Sequence, residues 1–212
     1  MKKPSTIAAL VMGLPLYVLA QGKPTPGTRV LECRTTFAPE VGEADLLAGF
    51  GSTNVVPGQV YLGEEHYDDG TILFGQDPED RVEILWKIKS PRRRPAWVRV
   101  RGESSRWHTP EGLALGLDLK SIERLNRKPF RLLGFEWDYA GTVMSWSGGR
   151  LDQPSREAPC SARVRLAPSG AAGPAVIERQ VVGEREFSSG HPAMQTLNPR
   201  VYDMWLSFPD PN

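Results

Sequence analysis

The stretch VEILWKI (residues 82–88) decides the fold, because its side chains alternate between the two faces of an extended chain. One face carries Val82, Ile84, Trp86 and Ile88, and the other carries Glu83, Leu85 and Lys87. Alternation with a period of two is the pattern of a β-strand that is covered on one side. The stretch therefore predicts a half-buried strand of an antiparallel sheet.

The nearby stretch WVRVR (97–101) repeats the alternation, with Trp97 and Arg99 on one face and Val98 and Val100 on the other. Further short apolar runs bounded by glycine, aspartate or proline predict strands at 55–56, 60–62, 71–74, 130–137, 142–146, 164–166 and 201–208. The Asp-Gly pair at 69–70 and the segment 138–141 predict turns.

Two segments have the spacing of short helices. In residues 41–50 the apolar face consists of Leu46, Leu47 and Phe50, and Gly51 is the expected C-cap. In residues 117–126 it consists of Leu119, Ile122 and Leu125, with Asp118 as N-cap. The whole pattern predicts an α+β fold, an antiparallel sheet-rich domain with two short helices. GTILF (70–74) and GTVMS (141–145) suggest two helix-plus-sheet repeats, with halves at 29–112 and 113–212.

The first twenty residues have the form of a secretory signal peptide. Lys2 and Lys3 form a basic start, residues 7–16 are apolar, and Val18-Leu19-Ala20 fits the cleavage pattern. The apolar run is too short to span a membrane. We therefore expect an exported protein, periplasmic or extracellular, with a mature chain from Gln21, a flexible lead-in at 21–28 and one domain at 29–212.

The predicted export determines how the two cysteines, Cys33 and Cys160, are interpreted. In an oxidising environment an even number of cysteines without a CxxC motif predicts a disulfide bond rather than a redox site. We expect this bond to join a first strand, around residues 30–35, to the strand that follows Cys160.

Charge and motif content exclude several function classes. Cleavage removes two of the 26 basic residues, which leaves 24 against 25 acidic ones. This balance argues against nucleic acid as a partner. His66, His108 and His191 show no metal-ligand spacing, and no nucleophile or phosphate-loop motif is present. The sequence therefore predicts no catalytic residues, no metal site and no cofactor.

The candidate binding residues lie around the turn at 138–141. If the strand at 130–137 alternates, one set of its side chains faces the core, namely Arg131, Leu133, Phe135 and Trp137. The other set then faces solvent or a partner, namely Phe130, Leu132, Gly134, Glu136 and Asp138. Glu136, Asp138 and Tyr139, with Trp146 if it faces the same way, form the predicted contact surface.

Residues 70–151 contain the runs GTILF, DPEDR, EILW, SSRWHTPEGLALGLDLKSIERLNRKPF, GFEWDYAG and SWSGGRL. This pattern resembles a family of uncharacterised exported bacterial proteins, and the resemblance implies export but no catalytic residues. The order of helices and hairpins is also similar to the repeats of the β-lactamase inhibitor protein and outer-membrane assembly lipoprotein folds. That second likeness is one of element order alone.

Two hypotheses of function follow. The favoured one is an exported non-enzymatic binding module, an inhibitor, immunity or envelope-interaction protein whose partner is a protein or envelope component. It rests on the absence of a nucleophile–base set and on six tryptophans, a residue type enriched at binding hot spots. The alternative is a periplasmic hydrolase of a cell-wall polymer or glycan that uses Glu136 or Asp138, two carboxylates on one strand face, beside Trp137 and Tyr139.

Overall fold

The structure is a computed structural model that describes residues 29–152, 159–168 and 179–209. The predicted signal peptide and the lead-in at 21–28 lie outside the described residues. The predicted α+β class is confirmed: two antiparallel sheets carry most of the regular structure, and short helices pack beside them.

The larger sheet has six antiparallel strands in the order β1-β2-β3-β4-β9-β7. Their bounds are β1 Val55–Gly63, β2 His66–Leu73, β3 Val82–Lys89, β4 Arg92–Arg101, β7 Ser161–Ala167 and β9 Arg200–Ser207. Because β7 and β9 extend the sheet begun by β1 to β4, a single sheet includes strands from both halves of the chain. The sheet order thus does not follow the division at residue 112.

The smaller sheet has three strands in the order β6-β5-β8. Their bounds are β5 Arg131–Leu133, β6 Val143–Ser145 and β8 Glu186–Ser188. The predicted strand at 130–137 thus ends at Leu133, and the predicted alternation of its side chains is wrong. Phe130 and Leu132, expected to be open, are fully buried, and Leu133 is buried as well. Consecutive strand residues point to opposite faces, so both faces of β5 are covered.

Three α-helices are described, one more than predicted: α1 Glu43–Phe50, α2 Leu119–Asn126 and α3 Pro192–Leu197. The predicted caps are confirmed. The amide of Gly51 donates to the carbonyl of Leu47, and the Asp118 carboxylate accepts from the amide of Ser121 at 2.7 Å. The unpredicted α3 begins with a proline at its first turn and ends at Asn198 in the left-handed conformation, both ordinary helix-boundary signals.

The hairpin turn between β1 and β2 lies at Glu64 and Glu65, both with positive φ, and not at Asp69-Gly70 as predicted. Two consecutive left-handed residues make a type I′ turn, whose twist matches that of the flanking strands. Gly70 instead lies inside β2, where a Cβ would come within 2.7 Å of Cγ1 of Val60. This glycine is required by close packing and not by a turn.

One contiguous apolar core joins the two sheets and the helices. Its largest fully buried side chains include Trp86, Trp107, Phe37 and Phe130. Trp86 and Trp107 satisfy their indole N–H groups internally, by donating to Oγ1 of Thr71 and to the carbonyl of Asp80, each at 2.8 Å. The core covers one face of the larger sheet. The opposite face of this sheet, the open face, points away from the core.

Candidate binding surface

The open face of the larger sheet is assembled from strands distant in sequence. The register places Glu83, Arg99, Trp205 and Arg163 in one cross-strand row. The next rows contain Leu85, Trp97, Ser207 and Ser161, and then Arg101, Asp203 and Arg165. Residues directly opposite one another in an antiparallel pair share a face. The predicted placement of Trp97 and Arg99 on one face of β4 is confirmed, since Val98 and Val100 are buried on the other.

Five side chains on and beside this face follow one another in an order that alternates aromatic rings with guanidinium groups. The guanidinium of Arg99 lies 5.9 Å from the ring centroids of both Trp97 and Trp205. The guanidinium of Arg165 lies 5.5 Å from Trp205 and 5.6 Å from Tyr139. These distances fall within the range of cation–π attraction. We refer to Trp97, Arg99, Trp205, Arg165 and Tyr139 as the arginine–aromatic ladder.

Arg99 is fixed in the ladder by polar contacts on both sides. Its Nε donates to Oδ1 of Asp203 at 2.7 Å, its Nη2 donates to Oδ2, and its Nη1 donates to the carbonyl of Tyr61 at 3.1 Å. Burial works against the charge on Arg99, but the hydrogen bonds and charge of Asp203 outweigh it and raise the pKa of Arg99. Arg99 is therefore a rigid, permanently charged element of the surface.

Arg165 has a similar position but much weaker partners. Its Nη1 donates to the carbonyl of Asp138 at 3.4 Å, and its Nε is buried without a hydrogen-bond partner within the described parts of the chain. A cleft of about 160 Å³ opens beside it, lined by Leu62, Trp97, Arg99, Arg165 and Trp205. Arg165 thus presents an incompletely satisfied guanidinium between the indole ring of Trp205 and the phenol ring of Tyr139.

The four predicted contact residues do not form one surface: three lie near the ladder, and Trp146 lies elsewhere. Glu136, Asp138 and Tyr139 are exposed as predicted, and Asp138 and Tyr139 contact Arg165 at the margin of the ladder. Glu136 has a positive φ and makes no hydrogen bond or ion pair with other residues of the described ranges. The chain leaves the strand at Leu133, so the exposure arises from a turn and not from strand alternation.

Trp146 does not join this group. Its ring packs on Phe130 at 5.3 Å and its carbonyl accepts from Nδ2 of Asn126 at 2.9 Å. It lines a larger cavity, of about 800 Å³, beside the disulfide bond and between β6 and β7. The carboxylates in this wall are those of Glu32, Glu111 and Asp152. Of these, Asp152 accepts from the amide of Gly148 at 2.7 Å, a contact that holds its carboxylate in a turn.

The predicted disulfide bond between Cys33 and Cys160 is present, with the two Cα atoms 6.0 Å apart. Cys160 immediately precedes β7, as expected. The segment 30–35 is not a strand, however, because only Val30 pairs, in a single parallel bridge to His108. The bond therefore anchors an irregular segment beside the strand that carries Arg165.

Arg165 and Trp205 were missed by sequence reasoning, although local signals existed. RVRL at 163–166 and DMWL at 203–206 show the same alternation that identified VEILWKI. The six tryptophans indicate a binding surface, but no local pattern shows which of them the sheet brings together. The missing information is the pairing of β9 with both β4 and β7.

Two further observations concern the same described ranges. No three or more histidine, cysteine, aspartate or glutamate side chains there are grouped so as to hold a metal ion. None of the helices there is both long and apolar enough to cross a membrane. Comparison with protein-family models, curated proteins and solved structures finds no match to this chain.

Proposed function

We propose that this protein is an exported, non-enzymatic binding module that holds a protein or envelope component on the arginine–aromatic ladder. The observation that carries the proposal is the position of the ladder on the sheet face that points away from the core. Tryptophan, tyrosine and arginine are the residue types that dominate binding energy at protein surfaces. Here they are contiguous, although the fold does not require them to form its core.

Rigidity supports the same proposal. Trp97, Arg99 and Trp205 lie on paired strands of the sheet, and Arg99 is held by Asp203 and by the carbonyl of Tyr61. A surface whose side chains are already ordered loses little conformational entropy when it binds. The disulfide bond and the predicted export signal favour a partner outside the cytoplasm.

The test is capture of envelope material by the immobilised mature chain, with Trp205→Ala compared against Met144→Ala. Met144 is exposed and lines the larger cavity, so its variant is a matched truncation outside the ladder. We expect Trp205→Ala to lose the captured component and Met144→Ala to retain it, with both variants folded by circular dichroism. Equal capture by the wild type and Trp205→Ala contradicts the proposal.

One observation favours the alternative of a hydrolase. The larger cavity has a size typical of small-molecule sites and combines Trp146 with the carboxylates of Glu32, Glu111 and Asp152. Glu136 and Asp138 line neither of the two cavities described above. A hydrolase would therefore use the cavity carboxylates. Release of soluble fragments from a wall polymer or glycan by the wild type, and its loss in Glu111→Gln or Asp152→Asn, would support this alternative.

A further inference from the structure

The open sheet face carries more positive charge than the fold neutralises. Its three cross-strand rows contain four arginines, Arg99, Arg101, Arg163 and Arg165, against the carboxylates of Glu83 and Asp203. Glu83 pairs with Arg81, and Asp203 pairs with Arg99. Arg101, Arg163 and Arg165 form no ion pair with the residues that the structure describes. A complementary partner therefore carries negative charge at this face.

The two arginines of the ladder differ in one respect. Arg99 meets the carboxylate of Asp203 with two parallel N–H donors, the geometry that the planar guanidinium favours. Arg165 lies directly opposite Asp203 on the other neighbouring strand, but both oxygens of that carboxylate accept from Arg99. Arg165 thus retains a buried Nε donor that no described residue satisfies. Arg165 therefore has no carboxylate partner within the described residues, and a carboxylate from a binding partner would supply the missing counter-charge through the terminal nitrogens of its guanidinium.

The dimensions of the cleft limit the group that can enter. At about 160 Å³ it is smaller than the usual range for free small-molecule ligands, roughly 300–1,000 Å³. It has room for the end of one side chain presented by a larger partner. The indole rings of Trp97 and Trp205 form two of its walls, and the apolar side chain of Leu62 forms another.

We infer that the cleft binds the carboxylate of an aspartate or glutamate from an acidic segment of a protein partner, with Arg165 as its ligand. This inference rests on the proposed function and gives its partner a chemistry. The exposed Leu62 and Tyr139 beside the cleft contact the apolar neighbours of that acidic residue. A peptide combines acidic and apolar side chains at this spacing, whereas a uniformly charged polysaccharide or nucleic acid strand does not.

The test uses a fluorescently labelled peptide of Glu-Leu-Gly repeats, with a peptide of Gln-Leu-Gly repeats as the uncharged match. Binding to the full mature chain is measured by fluorescence anisotropy. We expect Arg165→Gln to weaken binding of the acidic peptide about tenfold, which corresponds to loss of one charge-assisted contact. Arg93→Gln is the matched control, because Arg93 is an exposed arginine of the same sheet that makes no ion pair with described residues.

Several results would overturn the inference. They are equal binding of the two peptides, unchanged affinity in Arg165→Gln, or stronger competition by inorganic phosphate, polygalacturonate or single-stranded DNA than by unlabelled acidic peptide. Arg165→Lys keeps the charge but loses the two-pronged geometry, so an affinity equal to that of wild type would also contradict the assigned contact. Unfolding curves of each variant separate loss of binding from loss of fold.

Failure of the inference is distinguishable from failure of the proposed function. If capture of the envelope component depends on Trp205 but the acidic peptide does not bind, the ladder binds another chemistry and only the inference falls. If Trp205→Ala captures as well as wild type, the proposed function itself falls.

Discussion

Arg99 on β4 and Asp203 on β9 form a two-pronged ion pair across adjacent strands, with Nε of Arg99 2.7 Å from Oδ1 of Asp203. Asp203 is fully buried, although it points to the open face of the sheet. Both of its carboxylate oxygens accept from the guanidinium of Arg99. The pair thus belongs to the fold and to the candidate binding surface at once, and it fixes the geometry of the ladder.

The first prediction concerns this pair. Asp203→Asn leaves the largely buried guanidinium of Arg99 without its counter-charge, so we expect the free energy of unfolding to fall by about 3–5 kcal/mol. Urea unfolding followed by circular dichroism measures the change. The control is Glu186→Gln, which breaks the exposed pair with Arg131 and should cost less than about 1 kcal/mol. Equal effects of the two variants would contradict the structural role of Asp203.

The second prediction concerns pH. Arg29 and Arg106 donate to the carboxylate of Asp80 at 2.5 and 2.7 Å. The hydrogen bond from Arg29, with that from Arg106, holds the pKa of Asp80 well below its usual range despite the opposing effect of burial. The folded pKa lies below the unfolded value of about 3.9, so the stabilisation is complete above that value. It is lost as the pH falls toward the folded pKa.

We therefore expect Asp80→Asn to lower the free energy of unfolding by about 2 kcal/mol at neutral pH. The difference from wild type should shrink progressively below about pH 4. Urea titrations at a series of pH values measure it. Asp68→Asn is the comparison, because Lys89 also lowers the pKa of Asp68, but on an exposed part of β2 where the effect on stability is small. A difference that stays constant down to strongly acidic pH would refute the role given to Asp80.

The third prediction concerns the disulfide bond. Cys33 and Cys160 are 127 residues apart, so the bond closes a long loop in the unfolded chain. In the chain-entropy model this stabilises the fold by about 4–5 kcal/mol. Cys33→Ser should lower stability by that order and leave the far-ultraviolet circular dichroism unchanged. Alkylation of both thiols in unfolded but unreduced wild-type protein, detected by mass spectrometry, would exclude the bond.

The fourth prediction concerns export. The basic start, apolar run and Val18-Leu19-Ala20 site predict cleavage before Gln21. Intact mass and N-terminal sequencing of the protein recovered from an exporting host should show a chain that begins at Gln21. Ala20→Arg should block processing, because the peptidase reads a small residue at that position. Recovery of the uncleaved chain from the cytoplasm in the wild type would contradict the prediction.

Local sequence patterns predicted the strands and the helix caps. The burial of individual side chains and the composition of the candidate surface depend instead on contacts between distant segments. The alternation in VEILWKI and the caps at Gly51 and Asp118 depend on a few adjacent residues, and these predictions are confirmed. The burial of Phe130 and Leu132 depends on the core that distant segments of the chain form around them, which no pattern within 130–137 reveals. Arg165 likewise enters the candidate surface only through its pairing with β9.

The last prediction concerns Gly141, which positions the turn that carries Tyr139. Gly141 and Gly148 both have a φ of +67°, so alanine at either position has the same left-handed strain. At Gly148 an added Cβ meets nothing closer than Nζ of Lys128 at 3.7 Å. At Gly141 it would overlap the carbonyl oxygen of Leu166 on β7, while the carbonyl of Gly141 accepts from the amide of Leu166 at 3.0 Å.

Gly148→Ala should therefore cost about 1 kcal/mol, the strain alone. Gly141→Ala should cost about 3 kcal/mol or more, because the turn must move away from β7. The same movement should raise the hydrogen-exchange rate of the Leu166 amide and weaken binding at the ladder, since Tyr139 would no longer lie over Arg165. Equal costs for the two alanine variants would mean that this turn does not approach β7 closely, and Tyr139 would then have no fixed place in the binding surface.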